Sequence, residues 1–128
     1  MQLLDTMVLM ASLDVEHPLY RRALHHLRRV SSQDDVYVPS PAILEMDLEL
    51  KSHGFTREER REACASLLGY VGEEKILPLT LEAVREAVGL EEISGYFDAL
   101  IGSTAKLQGA SFISKDNAFT TMGLKIEW

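Results

Sequence analysis

Apolar positions change their period several times along this chain, and the changes mark its elements. Gln2–Leu4 reads as a short strand that runs into Asp5, and a helix follows from Thr6 with Val8, Leu9 and Leu13 on its inner side. From His17-Pro18 to Val30, the residues Tyr20, Ala23, Leu24, Leu27 and Val30 recur at helical spacing. Arg21, Arg22, His25, His26, Arg28 and Arg29 fall on the opposite, polar face. Val36-Tyr37-Val38 is β-branched and aromatic, hence a strand.

Residues 40–53 read two ways. Leu44 to Leu50 alternates strictly between apolar and acidic, which is a strand pattern. Ser40 as N-cap, Pro41 in the first turn and a run of strong helix formers favour a helix, which Gly54 ends. Thr56 and Glu59 have capping-box spacing at the head of another helix, with Ala63, Cys64, Leu67, Leu68 and Val71 as its core face. Ile76–Leu79 is a strand pushed towards a sheet edge by Pro78. Thr80 caps a helix with Leu81, Val84 and Val88 inward. A further helix runs from about Gly95 to Gln108, and Gly109 ends it. Phe112-Ile113-Ser114 and Lys125–Glu127 complete the strands. Strands separated by helices give one α/β domain over residues 1–128, with a mainly parallel sheet of four to five strands between helices.

Composition narrows the function classes. A chain of 128 residues can bury its own core, and its net charge of −7 argues against a protein that coats nucleic acid through its overall field. Acids gathered around a cation are compatible with that charge, because a bound ion inverts the local sign. A single cysteine rules out an internal disulfide framework. No apolar run is long enough for a membrane span and no basic leader precedes one, so the expected location is cytoplasmic.

Asp5 and Asp116 stand at the carboxyl ends of strands, the edge at which open α/β sheets bind ligands. Asp98 opens a helix, where the dipole favours an ionised carboxylate, and Glu45 lies one turn into the 40–53 helix. Singly, each has an ordinary reading: Asp5 as a helix cap, Asp116 as a turn residue, Asp98 as a first-turn acid, Glu45 as a surface residue. Brought together they would repel, and hard divalent ions with oxygen ligands relieve that repulsion, which favours Mg²⁺ or Mn²⁺ over zinc.

Four segments in order carry a family resemblance. Leu3-Leu4-Asp5-Thr6 resembles the opening strand and first acid of PIN domains, the family that includes VapC-type toxins. The segment from Val38 to Glu45 resembles the one bearing their second acid, and the segment from Phe97 to Ala105, with Asp98, resembles the third. The segment from Phe112 to Phe119 resembles the fourth, with its strand, Asp116 and an aromatic three residues on. Together they span nearly the whole chain. The resemblance implies a PIN-like three-layer fold and Mg²⁺- or Mn²⁺-dependent hydrolysis of RNA phosphodiesters. It assigns Asp5, Glu45, Asp98 and Asp116 as the catalytic, metal-binding acids. It also implies an antitoxin partner and a homodimer.

The chain departs from the family pattern at Met7, where many such toxins carry Asn, and at Ser114, where Thr is common. Asp47 falls within the apolar arc of its helix, so it either turns towards the site or pairs with an arginine. Asp47, Thr6, Ser114 and Lys115 are second-tier site candidates, and Arg21, Arg22 and Arg28 are candidates for the RNA backbone. That basic face also reads as an ordinary solvated helix surface. Two rivals stay open. A phosphoryl-transfer protein using Asp5 as acceptor would carry a second acid two residues on, and Met7 stands there. A catalytically decayed module that only binds RNA or a partner would tolerate Met7.

Overall fold

The computed structural model describes residues 1–128. Five strands run in the order Gln2–Leu4 (β1), Val36–Pro39 (β2), Ile76–Leu77 (β3), Ser111–Ile113 (β4) and Ile126–Glu127 (β5). Between them lie the helices Thr6–Ser12 (α1), Tyr20–Ser32 (α2), Ser40–Ser52 (α3), Arg57–Leu68 (α4), Leu81–Leu90 (α5), Tyr96–Gln108 (α6) and Ala118–Thr121 (α7). All pairings are parallel, in the spatial order β3-β2-β1-β4-β5. After β1 the chain builds outward to β2 and β3, then returns to place β4 on the other side of β1. The direction of winding therefore switches between β1 and β4. A crevice opens at the carboxyl ends of the strands at such a point.

The central strands carry buried apolar side chains because helices cover them. Leu3, Leu4, Val36, Val38, Phe112 and Ile113 are buried. Phe112 stacks on Phe119 at 4.5 Å between ring centroids, which seats α7 and the turn before it against β4. No helix is long and apolar enough to cross a membrane.

Residues 40–53 resolve as helix. Pro39 takes the cap position and Pro41 sits in the first turn. Ser40 does not cap its own helix; its Oγ accepts a hydrogen bond from the Leu79 N–H at 2.8 Å and ties the end of β3 to α3. The Thr56–Glu59 capping box forms in both directions, and Thr80 accepts from the Ala83 N–H. Gly109 closes α6 in the left-handed conformation at φ 61°. β3 is an edge strand, as Pro78 implies.

Three expectations about facing are corrected. On α5, Ala83 and Ala87 point inward, while Leu81, Val84 and Val88 face solvent. Small residues let α5 approach α6 closely, so the larger apolar side chains fall outside. On α4, Leu67 is buried but Leu68 is exposed, because one residue further turns it 100° off the packed stripe. His26, placed by periodicity on the polar face of α2, is only 4% exposed. Its ring packs 5.1 Å from that of Trp128.

His26 gives the fold a pH dependence. Its Nε2 has no partner, and burial, with Arg22, Arg29 and His25 nearby, lowers its pKa from 6.5 to about 4. Between those values the unfolded chain takes up a proton that the folded chain refuses. The contribution is fully present above pH 6.5 and is lost as pH falls towards 4, at about 1.4 kcal/mol per pH unit. Asp5 has a slope of opposite sign, described below, so the informative quantity is a difference. In chelator, the stability gap between wild type and His26→Phe should shift by more than 1 kcal/mol (roughly, by the same linkage) between pH 7 and pH 5 in urea unfolding. A gap independent of pH would show that His26 titrates alike in both states.

Candidate functional site

The strand ends place the first and last acids. Asp5 follows β1 directly, and its backbone N–H donates to the Ile113 carbonyl of β4 at 3.3 Å. Ser114 follows β4, and its Oγ donates to Asp5 Oδ2 at 2.6 Å while accepting from the Asp116 N–H at 2.9 Å. One hydroxyl thus fixes the Asp5 carboxylate and the turn that presents Asp116, across the switch point. Asp116 in turn accepts from the Ala118 N–H at 2.8 Å and opens α7.

Glu45 and Asp98 arrive from helices. Glu45 is one turn into α3, and the Thr6 hydroxyl beside it favours its ionised form. Asp98 lies in the first turn of α6, after Gly95, which supplies no side-chain cap. Asp5 is buried, Glu45 and Asp98 are half-buried and Asp116 is exposed.

Burial and like-charge neighbours both act on Asp5, Glu45 and Asp98. Burial is the main cause that lifts Asp5 from 3.8 to about 7; Asp98 and Glu45 add to it, and the bonds from Ser114 and Thr6 oppose it. Burial raises Glu45, with Asp98, Glu49 and Asp116 adding repulsion. Burial also raises Asp98, with Asp116 adding. As they stand, no three of the chain's His, Cys, Asp or Glu side chains close tightly enough to grip an ion. Asp98 and Glu45 act on Asp5 and on each other, and Asp116 acts on both of them, but the four head groups do not converge on one point.

No lysine or arginine compensates them. The ion pairs of the chain are Arg60–Asp47, Arg85–Glu86 and Lys125–Glu127. The donor set is therefore oxygen-only and anionic, with its innermost carboxylate buried. This chemistry suits a hard divalent ion such as Mg²⁺ or Mn²⁺, which takes carboxylate ligands and neutralises several at once.

The second-tier residues divide. Thr6 and Ser114 touch the acids, as described. Lys115 projects outward, with its ammonium 5.9 Å from the centre of the Trp128 ring. Asp47 is not in the cleft. It receives both Nε and Nη2 of Arg60, at 2.8 and 2.6 Å, on the outer side of α3 against α4. The apolar arc of α3 ends short of it, because Leu44 and Leu48 on either side are themselves exposed. Met7 is at the site's margin, with its sulfur 3.3 Å from the Lys115 N–H.

The basic face of α2 is spread along the helix. Arg22 reaches the carboxyl edge of the sheet, where its Nη2 donates to the Trp128 carbonyl at 3.0 Å. Arg29 lies at the other end, bonded to the side chains of Gln2 and Gln33. Arg21 and Arg28 are exposed, and their side chains bond none of the acids. Periodicity gave no signal for Trp128, which meets Lys115, His26 and Arg22 only through the pairing of β5 with β4.

Comparison with known proteins follows the same lines. The family model described as PIN domain matches residues 3–124. Among solved structures, FitAcB from Neisseria gonorrhoeae superposes with a TM-score of 0.72 at 18% identity, over 98% of this chain and 96% of that one. VapBC2 from Rickettsia felis, bound to a DNA fragment from its promoter, gives 0.72 at 17% identity, over 99% and 98%. VapC20 from Mycobacterium tuberculosis, a toxin that cleaves the sarcin-ricin loop, gives 0.70 at 16% identity, over 97% and 96%. A search of curated proteins finds no significant match.

Proposed function

The chain belongs to the PIN-domain family, and we propose that it is a Mg²⁺- or Mn²⁺-dependent endoribonuclease, the toxin of a toxin–antitoxin pair. The observation that carries this reading is the set of four uncompensated carboxylates, Asp5, Glu45, Asp98 and Asp116, at the switch point of a parallel sheet. A divalent ion bound there supplies Lewis acidity towards a phosphate oxygen and lowers the pKa of water.

The chain's own residues have separable tasks in this reading. Asp5, Asp98 and Asp116 hold the ion, with help from Glu45. Ser114 orients Asp5 and the Asp116 turn together, and Thr6 steadies Glu45. Lys115 and Arg22, both exposed and without acidic partners, draw in the phosphate backbone at the rim. No side chain forms a covalent intermediate.

Two surfaces support the partners. A groove of about 800 Å³ combines apolar residues such as Leu13, Leu50 and Phe55 with the acids Asp14, Glu49, Glu59 and Glu62, and suits an amphipathic antitoxin segment with basic residues. Leu44 and Leu48, exposed one turn apart on α3, and Leu81, Val84 and Val88 on α5 suit a homodimer contact. The working location is the cytoplasm, where RNA substrate and antitoxin are made.

Met7 favours a second reading, a binding module without activity, because its thioether gives the cleft a weaker polar partner than an amide. Incubation of the wild-type protein with structured and single-stranded RNAs separates the two. Cleavage in Mg²⁺ or Mn²⁺ that EDTA stops is expected. RNA binding with no cleavage in either metal would establish the binding module instead.

A further inference from the structure

Trp128 stands in line with the acidic cleft. Ile113 pairs with both Leu4 and Glu127, so Asp5, Ser114 and Trp128 follow their strands at the same level. The Ser114 N–H donates to the Glu127 carbonyl at 2.9 Å and fixes that alignment. With two strand spacings between them, the backbones of Asp5 and Trp128 are roughly 10 Å apart.

The surroundings of the indole are those of a binding platform. Beneath it the buried His26 ring, 5.1 Å away and tilted by 53°, gives it a fixed seat. Arg22 holds its main-chain carbonyl at 3.0 Å. The exposed Lys115 places its ammonium 5.9 Å from the ring centre. Glu127 is taken up by Gln2 and Lys125, and neither Lys115 nor Arg22 forms an ion pair. The indole is half-buried, so part of it stays open.

We infer that Trp128, flanked by Lys115 and Arg22, is a stacking site for an RNA base beside the cleft. The inference rests on the ribonuclease reading and deepens it. A flat aromatic on a rigid support stacks any base, while two cations engage the phosphates on either side. Lys115 is the mobile member: its flexible stem lets the ammonium leave the ring for a phosphate as a base takes its place. The site therefore selects unpaired nucleotides, whose bases are free to stack, without selecting sequence.

Trp128 is the chain's one tryptophan, so its fluorescence reports on this site alone. The test uses the Asp98→Asn protein in Mg²⁺, a short single-stranded RNA and an abasic strand of the same length. Binding is read independently from the anisotropy of a dye on the RNA. Saturable quenching of Trp128 by the RNA, absent with the abasic strand, is expected. In wild type, Trp128→Ala should raise KM for single-stranded RNA by roughly 5- to 150-fold, and Trp128→Phe should restore most of the loss. RNA that binds by anisotropy without quenching Trp128, or a KM within twofold of wild type in Trp128→Ala, would overturn the stacking site and leave the ribonuclease reading standing. Absence of both RNA binding and wild-type cleavage would overturn that reading, and the stacking site with it.

Discussion

Asp98→Asn should lower the rate of RNA cleavage by roughly a hundred- to a thousandfold while leaving the protein folded. Asparagine keeps the shape of aspartate and loses the charge that holds a hard cation. The fold has no claim on that charge. Asp98 makes no ion pair and caps no helix, and burial and the neighbouring Asp116 both disfavour its ionised form. Removing the charge should therefore leave metal-free stability equal or higher. Single-turnover cleavage at saturating protein isolates the chemical step, and a melting curve in chelator reports the fold. Cleavage within tenfold of wild type (roughly 1.4 kcal/mol) would remove Asp98 from the ion's ligand set.

The second large effect is on stability. Asp5 titrates near 7 in the folded chain and near 3.8 when unfolded. Between those values the folded state holds a proton that the unfolded state releases. Metal-free stability from this group is therefore fully present below pH 3.8 and is lost as pH rises to 7. At pH 8 the ionised, buried carboxylate costs roughly 4 kcal/mol. Asp5→Asn should recover much of that in chelator, because its side-chain oxygen still accepts from Ser114. In wild type, an ion that binds only the folded state should do the same. Mn²⁺ at a hundred times its Kd adds about 2.7 kcal/mol, a rise in Tm on the order of 10 °C for a chain of this size. The measurement is thermal unfolding at pH 8 in EDTA, in Mn²⁺ and in monovalent salt of equal ionic strength. An equal Mn²⁺ effect in the Asp5→Asn/Asp116→Asn double variant would place the ion elsewhere.

Most elements were legible in the sequence because local signals agreed. The capping box at Thr56 and Glu59, the cap at Thr80 and the stop at Gly109 each act within a few residues, and each forms as the pattern implies. Residues 40–53 show that propensity and proline placement outweighed a strand-like alternation, since Glu45 and Glu49 lie one turn apart on one side of the helix and Asp47 lies on the opposite side. What failed depended on partners distant in the chain. Which face of α5 is inward is decided by how closely α6 approaches, and Ala83 and Ala87 win over Leu81, Val84 and Val88. Ser40 looked like a cap and serves β3 instead, a contact spanning 39 residues.

The site divides along the same line. That Asp5 and Asp116 follow strands was legible locally, and the order of the four acids carries the resemblance. The place of Asp47 depends on Arg60, which reaches it from the next helix. The bridge from Ser114 to both Asp5 and Asp116 needs β1 and β4 to be neighbours, which no local pattern states. Trp128 has no periodic neighbours at all, and its surroundings come from β5, α2 and the turn after β4.

In the ribonuclease reading, RNA cleavage depends on a divalent ion held by Asp5, Glu45, Asp98 and Asp116. The most direct measurement follows Mn²⁺ binding and RNA cleavage in one titration of the wild-type protein, with bound Mn²⁺ read from the loss of the free ion's paramagnetic resonance signal. Cleavage should be absent in EDTA and rise in step with Mn²⁺ occupancy, and Asp5→Asn/Asp116→Asn should lose both together. Cleavage that persists in EDTA, or Mn²⁺ binding that the double variant retains in full, would contradict it.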